Sequence, residues 1–131
     1  MDLLTAAKNI ASRVESEASR AKIPVSVSVI DTHGNIVLQH RMNDALAFSM
    51  KLSARKAYTS ALIQIRTADL LPLVQPGQPL FPLISQREYC AMGGGAPLTT
   101  ADGVIAGVGV SGGSVDQDTA ILEAALIGPA A

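Results

Sequence analysis

Residues 25–41 read Val25-Ser-Val-Ser-Val-Ile-Asp-Thr-His-Gly-Asn-Ile-Val-Leu-Gln-His-Arg41, and this stretch decides the fold. Val25, Val27 and Val29 alternate with Ser26 and Ser28, the period-two pattern of a half-buried strand. Asp31-Thr-His-Gly-Asn35 is a turn in which Gly34 supplies a positive φ. Ile36 to Arg41 returns as a second strand, so the whole stretch is a β-hairpin.

On the N-terminal side, Leu3, Ala7, Ile10, Val14 and Ala18 recur at helical spacing and face a core, with Lys8, Arg13, Glu15 and Arg20 mostly opposite. Pro24 ends this helix, because the residue before a proline is pushed out of the α region. On the C-terminal side, residues 45–64 are helical, with Leu46, Met50, Ala54, Ala57 and Ala61 on one face. That face carries mostly small side chains, so a strand layer or a neighbouring subunit packs close to it. Thr67 is placed to cap a short helical turn.

Pro72, Pro76, Gly77, Pro79 and Pro82, interleaved with Leu73, Val74, Leu80 and Phe81, form an ordered loop rather than a linker. Residues 86–92 are expected to be a strand leading into Gly93-Gly-Gly95. A short strand follows from Pro97, then an alternating one from Val104 to Val110. A last helix runs from about Val115 to Ile127, opened by the Ser114/Gln117 capping box. Consecutive strands with short turns predict a mainly antiparallel sheet with helices on both faces, in α/β/α layers.

The 131 residues suit one domain with its own core, residues 1–131. At 48% hydrophobic and 16% charged residues the chain is not disordered. Ten basic and eleven acidic residues, without a basic block, argue against a nucleic-acid surface, and 3% aromatics argue against base stacking. The one cysteine, Cys90, makes no internal disulfide, and no Cys/His cluster suggests structural zinc. No apolar run is long enough for a membrane span, and the charged N-terminus is not a signal peptide as written. A soluble, cytoplasmic protein is expected.

Gly107-Val-Gly-Val-Ser-Gly112 matches GxGxxG formally, but no βαβ unit or downstream acidic strand follows it, so a dinucleotide site is rejected. Gly107 and Gly109 share one strand face, where missing side chains let something approach. The Ser111-Gly-Gly-Ser114 junction offers helix-start amides to a carboxylate or phosphate, unless the turn satisfies its own donors. Gly93-Gly-Gly95 leaves the same choice between a packed turn and close ligand or subunit approach. Arg41 and Lys56, converging, would bind a carboxylate; the plainer alternative is a surface salt bridge with Asp44 or another acid, worth little. His33 lies in the hairpin turn, and His40 shares a strand face with Leu38 and Met42. No nucleophile elbow, HExxH or paired catalytic carboxylates announce an enzyme.

Several segments together resemble the GlcG/HbpS family, which includes the C-terminal domain of PduO-type cobalamin adenosyltransferases. They are Val29-Ile-Asp-Thr-His-Gly-Asn35, His40-Arg-Met-Asn-Asp-Ala45, Arg55-Lys-Ala57, Thr67, Val74-Gln-Pro-Gly-Gln-Pro-Leu80, Gly93-Gly-Gly-Ala-Pro97, and Gly107-Val-Gly-Val-Ser-Gly-Gly113 with Gln117-Asp118. The Val-Gln-Pro-Gly-Gln segment is most like the PduO branch.

The resemblance implies a profilin-like fold with a five-stranded antiparallel sheet, a homo-oligomer (an octamer in several members), and haem or another tetrapyrrole as cofactor. It further implies an accessory or sensing role, tied to propanediol, glycerol or glycolate use and, for some relatives, a microcompartment. Adenosyltransferase chemistry belongs to a separate domain and is not expected of these residues. A leader-bearing precursor stays open, since some relatives are exported. Arg41, Lys56, Gly94, Gly95, Ser111 and Gly112 match positions expected to line a ligand pocket or an interface. His40 is the candidate haem-iron ligand on chemical grounds alone. Two other functions are kept: a binder or enzyme for a small hydroxy acid or aldehyde, with Arg41 and Lys56 as anion clamp, and a non-catalytic assembly protein.

Overall fold

The computed structural model describes residues 2–127. Its elements are α1 (Leu3–Ala21), β1 (Ser26–Asp31), β2 (Ile36–Arg41), α2 (Phe48–Ile63), α3 (Thr67–Leu70), β3 (Gly95–Thr100), β4 (Gly103–Ser111) and α4 (Val115–Ile127), with 3₁₀ turns at Leu71–Val74 and Phe81–Ser85. The sheet is antiparallel and four-stranded, in the order β2-β1-β4-β3, not five-stranded. The missing strand is residues 86–92, which form turns and irregular chain. Arg87, Glu88 and Met92 are exposed there, so the segment has no continuous apolar face to bury in a ladder.

The valine face of β1 meets Val108 and Val110 of β4, and α1 and α4 cover it. Ile10, Val14, Val25, Val27, Val29, Ile121 and Leu122 form this core. Asp2 caps α1 by accepting from the Thr5 amide at 2.7 Å. Lys22, at φ 61°, closes the helix with the Ile23 amide donating to Ala18 O, and Pro24 follows two residues later.

The serine face is buried as fully as the valine face, against the half-buried strand expected from the alternation. Ser26 and Ser28 are wholly inaccessible beneath α2. Their Oγ atoms lie 2.8 Å from those of Ser49 and Ser53. Ser49 donates to Leu46 O and Ser53 to Met50 O, so the β1 serines are the donors to α2. Gln39 of β2 completes the set by donating to Ser28 Oγ at 2.9 Å and to Met50 O at 2.8 Å.

The buried face of α2 is therefore Ser49, Leu52, Ser53, Lys56, Ala57, Thr59, Ser60 and Ala61. This corrects the expected stripe, because Leu46 is exposed and Met50 and Ala54 are only half-buried. The hydroxyl groups that read as solvent-facing on both elements satisfy one another, which lets them be buried together.

Gly107 and Gly109 explain the close approach. A Cβ on Gly107 would strike Ala57 O and lie 2.5 Å from the Ala61 nitrogen. One on Gly109 would strike Ser53 O and lie 2.6 Å from the Ala57 nitrogen. The helix backbone thus lies on the bare strand. Gly109→Ala or Gly107→Ala is expected to cost about 3 kcal/mol or more, since the obstructing atoms are backbone and α2 must lift away. Gly103→Ala at the β3–β4 turn meets no atom within 4 Å. It carries only the ~1–2 kcal/mol penalty of its positive φ. Urea unfolding of the three variants against the parent measures the difference.

Candidate functional site

Five residues singled out from the sequence converge at one end of the sheet. Lys56 projects from α2 beneath β4 and is completely buried, with its Nζ donating to Val110 O at 2.9 Å and to Asp118 Oδ2 at 3.1 Å. Gly94, at φ 117°, passes over this ammonium; a Cβ there would lie 2.8 Å from Lys56 Nζ and 2.7 Å from Val110 O. Gly95 starts β3 against Lys56 O, and its amide donates to Thr67 Oγ1 at 2.8 Å. Thr67 is therefore a clamp on β3 and does not cap α3, whose N-cap is Arg66. The triple glycine is explained by packing within the chain, around Lys56, Thr67 and Thr119.

Asp118, quoted in the Gln117-Asp118 motif but not among the candidate site residues, is the counter-charge. Its Oδ1 accepts from the Gly113 amide at 2.8 Å, while Gln117 Oε1 accepts from the Ser114 amide at 2.8 Å. The predicted capping box is present, with the Gln117 amide donating to Ser114 Oγ at 3.1 Å. Two donors at the start of α4 are thus occupied by the chain's own side chains, the self-satisfied turn that was the alternative to an anion site at this junction. Burial pushes the Asp118 carboxyl above its ordinary value, against the lowering pull of the Gly113 amide and the Lys56 ammonium.

Ser111 and Gly112 border a cavity of about 190 Å³ beside this pair, with Leu46, Phe48, Met92 and Val115 also in its wall. Arg41, Ser26 and Ser111 are register partners across β2, β1 and β4, which puts Arg41 at the same end of the sheet. Arg41 is exposed, however, and Lys56 is enclosed and bound to Asp118. Together they form no anion clamp; Lys56 does make a salt bridge, but with Asp118 rather than Asp44 and buried rather than at the surface as expected.

A larger concavity lies elsewhere. A groove of about 840 Å³ runs between the outer side of α2 and residues 85–88, lined by Ile30, Lys51, Ala54, Arg55, Tyr58, Ser85, Gln86, Arg87 and Glu88. Its walls are apolar at Ile30, Ala54 and Tyr58 and cationic at Lys51, Arg55 and Arg87, with Glu88 the one acid. Beneath the proline loop a smaller cavity of about 260 Å³ is lined by residues including Leu70, Val74, Tyr89, Cys90 and Met92. The groove residues were missed, although Lys51, Arg55 and Tyr58 recur at helical spacing on the side of α2 away from its serines. Arg87 had no such signal, because a loop brings it there.

His40 is on the other side of the sheet, where its Nδ1 lies 3.1 Å from Glu15 Oε2 of α1. It does not line the groove. His33 is exposed on the hairpin turn, its amide donating to Asp31 Oδ1 at 2.9 Å. No described helix is long and apolar enough to cross a membrane.

Comparison with known proteins places this architecture. Residues 3–127 match the family described as haem degrading protein HbpS-like, and the chain belongs to that family. An uncharacterised 15.0 kDa protein from the dhaT-dhaS intergenic region of Citrobacter freundii is 42% identical over 125 residues, covering 94% of this chain and 88% of that protein. The corrinoid adenosyltransferase PduO of Salmonella typhimurium is 40% identical over 111 residues, covering 83% of this chain but only 33% of PduO. The solved structure of a PduOC:haem complex superposes with a TM-score of 0.89 at 34% identity, covering 96% of this chain and 92% of that one. The GlcG/HbpS resemblance read from the motifs, near the PduO C-terminal domain, is borne out.

Lys56→Met is expected to destabilise the fold by about 3–5 kcal/mol, because it strands the buried Asp118 charge. Replacing both partners with apolar residues should recover part of that loss in denaturant melts. The Asp118 carboxyl titrates above its unfolded value of 3.8. Between those two values the folded chain binds more protons than the unfolded one, so this contribution is full at low pH and is lost as pH rises through the window. Asp118→Asn should remove that component from the pH dependence of unfolding.

Proposed function

We propose that this protein is a haem-binding accessory or sensing protein that works as a homo-oligomer, with the tetrapyrrole in the groove between α2 and residues 85–88. The observation that carries the reading is the groove's make-up. Its ~840 Å³ falls within the range of about 300–1,000 Å³ typical of ligand clefts. Its apolar wall suits a porphyrin face, and Arg55, Arg87 and Lys51 suit the two propionates. The residues present fit the group. Haem supplies iron chemistry when bound; the chain supplies the apolar seat and the charged rim.

The haem complex of the PduOC structure supports the same cofactor here. The exposed apolar residues Leu46, Phe48, Met92 and Val115, gathered around one cavity, and Leu71, Leu73, Phe81 and Ile84 in the adjoining loop support self-association, with an octamer the expected form. A cytoplasmic setting beside diol or hydroxy-acid metabolism, free or in a microcompartment, follows the family resemblance. No catalytic role is assigned.

Haemin titration followed at the Soret band tests the reading, with saturation expected near one haem per subunit. Arg55→Ala with Arg87→Ala should weaken binding about tenfold or more, each charge-assisted contact contributing up to ~1.5–3 kcal/mol when desolvated. A featureless, unsaturable response would sink it. Light scattering on a sizing column reads the assembly, and Phe48→Asp should shift it to smaller species.

A further inference from the structure

We propose that the phenol oxygen of Tyr58 is the protein's ligand to haem iron, an assignment that rests on the haem reading of the groove. Haem iron is ordinarily held by His, Cys, Met or Tyr. Among the side chains lining the groove, Tyr58 alone is of these types. Of the other described donors, Tyr89 lies against Tyr58 but lines the smaller cavity under the proline loop, and the rest are further off. His40 is bonded to Glu15 on the far side of the sheet. Met42 packs against the core below α1 and α4. Cys90 and Met92 line the 260 Å³ cavity under the proline loop, below the size of a ligand cleft.

The Tyr58 ring is held in place, which a ligating side chain requires. It lies against Tyr89, with ring centroids 5.5 Å apart at 58°. The hairpin turn abuts it on another side, where a Cβ on Gly34 would fall 3.0 Å from the Tyr58 Cε2 atom. Tyr58 is thus a half-buried phenol with its ring held by two neighbours, on the wall of a groove of ligand size.

The charges agree. An iron-bound phenolate is anionic, and Arg55 lies one turn before Tyr58 with Lys51 one turn earlier, all three on the groove wall. Glu88 is the opposing acid and the competing oxygen donor. A hard, anionic oxygen ligand favours ferric over ferrous iron, so haem should be held more tightly oxidised than reduced.

The test is haemin reconstitution of the full chain, read by visible absorption and resonance Raman spectroscopy. The parent should show a phenolate-to-iron charge-transfer band with phenolate Raman modes. Tyr58→Phe keeps the ring that meets Tyr89 and Gly34, so its cofactor-free melting transition should be retained. That variant should lose both signatures and bind haemin at least tenfold more weakly. His40→Ala and Glu88→Gln should keep the parental signatures. Tyr58→Phe binding haemin with the parental spectrum and affinity overturns the assignment while leaving haem binding standing. Phenolate signatures retained in Tyr58→Phe but lost in Tyr89→Phe also overturn it and name Tyr89, and a parental complex without phenolate signatures overturns it as well. No saturable binding by the parent overturns the assignment together with the reading beneath it.

Discussion

The structure depends on the seat of α2 directly on β4. Two glycines one residue apart remove every side chain between helix backbone and strand backbone, and the helix settles until Ala57 and Ser53 occupy that space. So short a separation leaves no room for large apolar side chains, which explains why the layer is built from Ser, Ala and Gly. The hydroxyl pairs Ser26–Ser49 and Ser28–Ser53 follow, since polar groups brought this close without water must bond to one another. A close-packed layer of this kind stabilises through dispersion and satisfied hydrogen bonds more than through buried apolar area.

The same closeness brings Lys56 beneath β4. A lysine there has no route to solvent, and the fold answers with Val110 O and Asp118. The pair ties α2, the end of β4 and the start of α4 to one point, and Gly94 leads β3 past it. Taking two charges from water is expensive, so the pair contributes more to fixing the relative placement of these elements than to net stability. With its inner face so committed, α2 turns Lys51, Arg55 and Tyr58 outward, and residues 85–88 close over them to make the groove. The buried pair and the groove are opposite sides of one helix.

Much of the architecture was legible in the chain. The 25–41 hairpin, the α1 stripe, the Pro24 stop and the Ser114 capping box are local devices, and each appears where periodicity or turn chemistry put it. Gly107 and Gly109 were legible as a place of close approach, and the small residues of α2 as a surface awaiting one. That these two meet was not, because neither pattern names its partner. Residues 86–92 read as a strand since short mixed stretches carry little periodic information, yet the outer edge of β3 stays unpaired among the described residues. Asp118 stood in a quoted motif, but its role was not legible because it depends on a lysine 62 residues earlier.

By itself the sequence determined the layer types, the antiparallel pairing, the family and the residues crowding around Lys56, because each rests on local spacing or on motifs kept in order along the chain. Only the tertiary structure decided that the serine face of β1 is interior, that Lys56 is neutralised within the chain, and that His40 faces α1. It alone assembled the groove, from one helix face and a loop separated by some thirty positions. The physical reason is common to all of these. Burial and charge pairing belong to pairs of surfaces, and a linear pattern describes one surface at a time.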